Sequence, residues 1–117
     1  MIVEKVLNNN VVVSIDPKTK KEVILMGSGI TFNKKPGQQI DEKKIEKTFV
    51  VDDENLGNKI KKLINQIPEG IFEITDEIIT HAIVELNTVL DKQIYVSLAD
   101  HIAFAVKRFR SGIIIKN

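Results

Sequence analysis

The chain has no cysteine and no tryptophan, only three prolines, and its aromatics are five phenylalanines and one tyrosine. Without cysteine there is no disulfide, no thiolate nucleophile and no cysteine zinc site. No apolar run approaches the roughly 18–20 residues that span a bilayer, so no membrane segment is expected. The start, MIVEKVLNNN, has no basic stretch leading into an apolar core, unlike a signal peptide. The cytoplasm is the expected compartment. Gly-x-Ser-x-Gly and Gly-x-x-x-x-Gly-Lys are both missing, and Gly27-Ser28-Gly29 is too short for a nucleotide loop. The histidines, His81 and His101, lack metal-ligand spacing with each other. Neither enzyme activity, nor a metal, nor a cofactor is expected.

What is present is a globular composition, 43% hydrophobic over 117 residues, enough for one ordinary domain or two small ones. The net charge of +1 hides a gradient. Residues 1–35 hold six bases (Lys5, Lys18, Lys20, Lys21, Lys34, Lys35) against three acids (Glu4, Asp16, Glu22), whereas residues 74–100 are acidic. A bias of this size permits phosphate contact without demonstrating it.

The first half reads as β structure. Runs rich in β-branched residues at 2–7 (IVEKVL) and 11–15 (VVVSI) flank Asn8-Asn9-Asn10, a turn former that tolerates positive φ and bonds its own backbone. Asp16 to Lys20, with Pro17, is a second turn, and Glu22 to Met26 a third strand. Ile30-Thr31-Phe32 is expected to resume extended structure, Asp41 to Glu46 to make one helical turn, and Thr48 to Val51 to close the sheet. Four short strands bury little on both faces, and a domain of about 50 residues is marginal alone. Packing the second face on another copy is the simplest remedy, so a homodimer is expected.

From Leu56 the apolar period changes from 2 to about 3.6, with Leu56, Ile60, Leu63 and Ile64 on one face. Pro68 and Gly70 break that helix. Thr75 is placed as the N-cap of the next, with Ile78, Ala82, Leu86 and Leu90 as its stripe. Ser97-Leu98-Ala99-Asp100 resembles a capping box opening a third helix, with Ile102, Ala105, Val106 and Phe109 inward and Gly112 at its end. Ile113-Ile114-Ile115 is left with no obvious partner, as if the chain were cut short. The fold class is therefore α+β: a small dimerising antiparallel sheet domain over 1–55, then an all-α segment over 56–117.

Two groups of residues invite a functional reading. A meander would set Asn8 to Asn10 beside Gly27 to Gly29. Asparagines offer donors and acceptors to base edges, glycines admit a sugar–phosphate chain, Phe32 can stack on an unpaired base, and Lys5, Lys34 and Lys35 supply cations. The plain alternative is that these stretches are turn formers with a solvated lysine rim. His101 is the other: an exposed imidazole accepts a phosphoryl group when cations flank it, and Lys107, Arg108 and Arg110 are near. The plain alternative is an ordinary surface histidine.

The pattern KVLNNNV (5–11), MGSGITF (26–32), Lys34-Lys35 and Ile45-Glu46-Lys47 closely resembles the BglG/SacY/LicT family of transcriptional antiterminators. The stretch IYVSLADHI (94–102) resembles the first phosphotransferase regulation domain, or PRD, of that family. The resemblance implies a dimeric RNA-binding domain that holds an imperfect RNA hairpin overlapping a terminator. It implies RNA contact at Lys5, Asn8, Asn10, Gly27, Ser28, Gly29 and Phe32. It also implies phosphorylation of His101 by sugar phosphotransferase proteins, in a PRD that is incomplete here. Ser28 departs from the pattern, since family members commonly carry a basic residue there. A helical DNA-binding regulator, a histidine phosphocarrier and a plain dimerisation module are the competing readings.

Overall fold

The computed structural model describes the backbone of residues 1–115 and the side chains of residues 1–112. The chain forms two compact units, Met1–Asn65 and Gln66–Asn117. In the first, β1 (Lys5–Asn8), β2 (Val11–Ile15), β3 (Glu22–Met26) and β4 (Lys47–Val50) make an antiparallel sheet in sequence order. A single 3₁₀ turn, Glu42–Lys44, precedes β4. Helices α1 (Glu54–Gln66), α2 (Ile71–Leu86) and α3 (Gln93–Ile115) follow. The class is α+β, as the sequence implies.

Strand β1 is shorter than the run 2–7 because its first residues pair elsewhere. Val3 N–H donates to the Gln38 carbonyl, Gly37 N–H donates to the Val3 carbonyl, and Ile2 bridges Gln39. The buried Ser14 hydroxyl donates to the Ile2 carbonyl at 2.6 Å. The Asp16 turn forms as expected, its carboxylate accepting from Lys18 N–H while Lys20 takes a φ of 62°.

Both faces of the sheet are buried within the chain. One carries Val12, Val23 and Leu25 under Val3, Ile30 and Ile40. The other carries Val11, Val13, Ile24, Met26 and Phe49, all buried. Glu22 stands on this second face, because side chains alternate along β3. It meets Lys61 of α1 at 2.8 Å, and a side chain at Gly57 of α1 would run into Val51. Leu56, Ile60, Leu63 and Ile64, the stripe read from the sequence, are all buried. Helix α1, but for its last residue, therefore belongs to the sheet's unit. The compact units divide at 65/66, whereas the change of apolar period falls at 55/56.

In the second unit the helix starts differ from the sequence reading. Thr75 does not cap α2: the helix opens at Ile71 after Gly70, whose φ is 94°. The buried Thr75 hydroxyl instead donates to the Ile71 carbonyl one turn back. The inward residues are accordingly Ile71, Phe72, Thr75, Asp76 and Ile79, while Ile78 and Leu86 are exposed and Leu90 lies past the helix end. Ser97 does not open α3 either. The helix begins at Gln93, whose N–H is accepted by Asp91 Oδ1 at 2.9 Å. Ala99 is buried, but Phe109 is 68% exposed, and Gly112 does not end the helix. The side chains of 113–115 lie outside the described residues.

Helices α2 and α3 meet through Phe72 and Tyr95, whose rings stack with centroids 5.8 Å apart. Tyr95 Oη donates to the buried Asp76 Oδ1 at 3.1 Å. Burial and the Asp76 charge push the Tyr95 hydroxyl up to about 12. Burial also raises the Glu73 carboxyl, whose Oε1 is buried without a hydrogen-bond partner. An unfolded tyrosine titrates near 10. The Tyr95 contribution is therefore complete below about pH 10 and is lost as pH rises through its folded value. Stability of the helical unit is expected to fall between about pH 10 and 12. Tyr95→Phe should remove that step and cost about 1 kcal/mol at neutral pH, both read by thermal melts at stepped pH. An unchanged alkaline profile in the variant would count against this linkage.

Candidate nucleic-acid interface

The interface is built from two turns at one end of the sheet. Asn9 and Asn10 connect β1 to β2, with Asn8 paired to Val11 and the register shifted between Val6 and Asn8. None of the three asparagines takes a positive φ. The turn is closed by side chain instead, Asn10 N–H donating to Asn8 Oδ1 at 2.8 Å. Residues 27–34 form overlapping turns and not the extended segment expected at 30–32. Ile30 N–H bonds the Gly27 carbonyl, Phe32 N–H that of Gly29, and Lys34 N–H that of Thr31. Positive φ at Gly29 (66°) and Asn33 (55°) is what coils this stretch.

Four hydrogen bonds stitch the turns side by side, the juxtaposition that a meander implies. Gly27 N–H donates to the Asn10 carbonyl at 2.9 Å, and Gly29 N–H to Asn10 Oδ1 at 2.9 Å. Thr31 donates twice, its N–H to the Asn9 carbonyl and its hydroxyl to the Asn8 carbonyl. Behind the loop runs the segment 44–46. The Lys44 carbonyl lies so close under Gly27 that a Cβ there would overlap it. Glu46 N–H donates to the Met26 carbonyl, and Glu46 Oε2 accepts from Ser28 N–H at 2.6 Å.

The two loop glycines therefore do different work. Gly27 is needed for contact within the protein. Gly29 faces open space, so a ligand's backbone can come close there. Ser28 is exposed, and Phe32, 69% exposed, is a large ring with no cover of its own. Lys35 is exposed and Lys34 half-buried. Lys5 is exposed but stands about 10 Å along β1 from Asn8, at the far end of the strand. Asn8, Asn10, Gly27, Ser28, Gly29 and Phe32 are thus gathered in one place, and Lys5 lies apart. Thr31 and Glu46 escaped the sequence reading as site residues, although both lie inside the motifs that carry the family resemblance. A hydroxyl and a carboxylate in a polar loop look alike whether they cross-link it or face water.

His101 is exposed on α3, in the second unit. Its neighbour Asp100 is exposed as well. The Arg108 guanidinium lies 5.8 Å from the Phe104 ring centroid, a cation–π contact. His81 lies 3.7 Å from Glu85 one turn on, both exposed. Among the described residues no group of three or more His, Asp or Glu is placed to hold a metal, and no helix is long and apolar enough to cross a membrane.

Residues 1–58 match the family model described as the CAT RNA binding domain. Across its whole length the chain is 44% identical to the transcription antiterminator LicT of Bacillus subtilis, of which it spans 42%. It is 36% identical to the beta-glucoside operon antiterminator of Dickeya chrysanthemi, spanning 41% of that protein. The crystal structure of GlcT CAT-PRDI superposes with a TM-score of 0.73 at 39% identity, over 95% of this chain and 66% of that one. The chain belongs to the BglG/SacY/LicT family of transcriptional antiterminators. It spans about two fifths of the length of these curated relatives.

Proposed function

We propose that the chain is the RNA-binding and first regulatory part of an antiterminator that, as a cytoplasmic homodimer, holds an RNA hairpin overlapping a terminator so that transcription reads on. The observation that carries this reading is the stitching of the 8–10 and 27–32 turns, which sets two asparagines, an open glycine and an exposed phenylalanine on one rim. Phe32 stacks on an unpaired base, Gly29 admits the sugar–phosphate chain, and Asn8, Asn10 and Ser28 make polar contacts. Lys5 adds a phosphate contact from farther along β1. Residues 1–55 act as the RNA-binding domain, and 56–117 open the first PRD.

Control enters at His101. Its exposure leaves it open to sugar phosphotransferase proteins as phosphodonors, and a phosphoryl group adds roughly −1.5 to −2 charges to α3. That charge shifts dimer geometry and, through it, RNA affinity.

The test is fluorescence anisotropy of a labelled, imperfect RNA hairpin titrated with the protein at rising salt, with duplex DNA as competitor. Hairpin-selective binding at two chains per RNA, with affinity falling as salt rises, is the expected result. Equal affinity for duplex DNA would favour the DNA-binding reading instead. Because Ser28 lacks the cation common in the family, Ser28→Arg should tighten binding and steepen the salt slope by about one.

A further inference from the structure

The hydrogen bonds that stitch the two turns also fix which way the asparagine side chains are polarised. A backbone N–H needs an acceptor, and in a carboxamide only the oxygen accepts, so the partner atom in each bond is the carboxamide oxygen. Asn8 Oδ1 is held by Asn10 N–H at 2.8 Å, and Asn10 Oδ1 by Gly29 N–H at 2.9 Å. Both oxygens are thereby turned into the protein, each accepting one hydrogen bond there. The NH2 groups of both side chains make no hydrogen bond among the described residues, and both residues are half-buried at the rim.

The loop's backbone donors are spent as well. Gly27 N–H goes to the Asn10 carbonyl, Ser28 N–H to Glu46 and Gly29 N–H to Asn10 Oδ1. The Gly-Ser-Gly loop is therefore not a cradle of free N–H groups for phosphate, whatever its glycines suggest. What the rim has left to give is side-chain N–H.

Resting on the RNA-binding reading above, we infer that Asn8 and Asn10 present their NH2 groups outward as donors that recognise hydrogen-bond acceptors on the RNA. Purine N7, the keto oxygens of guanine and uracil, and phosphate or ribose oxygens fit this polarity. The amino groups of adenine, cytosine and guanine do not. An asparagine free to turn its amide over would accept either kind of partner; these two cannot turn without breaking the turns they hold together.

The test uses the whole chain and a hairpin selected by it from an RNA pool with a randomised internal loop. Asn8→Asp and Asn10→Asp keep the inward oxygen and replace only the NH2 group, so the turn bonds survive, as amide NMR shifts of Asn10 and Gly29 would show. Each is expected to weaken binding about 10- to 100-fold, the discrimination carried by a two-donor amide contact. Asn9→Asp places the same charge in the same turn and should cost much less; equal losses at 8, 9 and 10 would reduce the effect to charge and overturn the inference. A second arm leaves the protein unaltered. Replacing loop purines singly by 7-deaza analogues should weaken binding at one or more positions, whereas inosine for guanine should not. Sensitivity to amino-group deletion alone would overturn the inference. A pool that yields no binder would instead sink the RNA-binding reading itself.

Discussion

Gly27→Ala is expected to destabilise the first unit by about 3 kcal/mol, the upper range for forcing an extra carbon into packed structure. The added Cβ has nowhere to go, because the Lys44 carbonyl already fills its place and that atom belongs to the backbone. Relief requires moving segment 44–46, which breaks the bonds from Glu46 N–H to Met26 and from Ser28 N–H to Glu46. Gly29→Ala is the internal comparison. Nothing crowds its Cβ, so only the left-handed φ of 66° is penalised, at about 1 kcal/mol. The lone tyrosine lies in the second unit, so its fluorescence does not report this change. Urea unfolding followed by amide NMR of residues 5–50 does. Similar midpoints for the two variants would show that segment 44–46 gives way easily.

Cutting the chain after Asn55 is expected to make the remaining fragment associate beyond the proposed dimer or lose its fixed packing. Leu56, Ile60, Leu63 and Ile64 are all buried, and each such side chain is worth roughly 1.5–3 kcal/mol of burial. Their loss is comparable to the whole stability of a domain this small, about 0.05–0.15 kcal/mol per residue. Val11, Val13, Ile24, Met26 and Phe49 are buried in the intact chain, and the face they share with Glu22 would lose the contact that Lys61 of α1 makes with it. The fragment 1–55 should therefore sediment as a species larger than the intact chain's dimer, or lose its fixed packing. A fragment ending at Gln66 should keep both faces covered. A folded 1–55 of the same oligomeric state as 1–66 at tens of micromolar would show that α1 contributes little, and sedimentation velocity on the two fragments distinguishes these outcomes.

The strand pattern was legible because alternation and turn chemistry are local. VVVSI and EVILM lie at their expected places, and the Asn triplet closes a hairpin. The errors fall where a local signal had a rival. Thr75-Asp76-Glu77 looks like a helix start, but Gly70 begins the helix a turn earlier and Thr75 is drawn inside. Ser97-Leu98-Ala99-Asp100 resembles a capping box, yet Asp91 supplies the oxygen that starts α3. Ile2 and Val3 have β-forming side chains but find their partners at 37–40, a pairing no local pattern announces. At the interface the identities of Asn8, Asn10 and Gly29 were readable from turn propensity and family resemblance. The direction in which the amides point was not, because it depends on partners as far away as Gly29 is from Asn10.

The sheet is a plain meander, each strand hydrogen-bonded to its neighbour in sequence. During synthesis the hairpin β1–β2 is made first, the segment 44–46 that closes the loop at 27–34 follows, and the sheet precedes α1. The nascent chain thus passes through an interval in which the sheet is made while α1, which belongs to the same unit, is not. Two chains growing on one message would meet in that interval at high local concentration, so the time between the emergence of the sheet and that of α1 would set the chance of pairing with a neighbour.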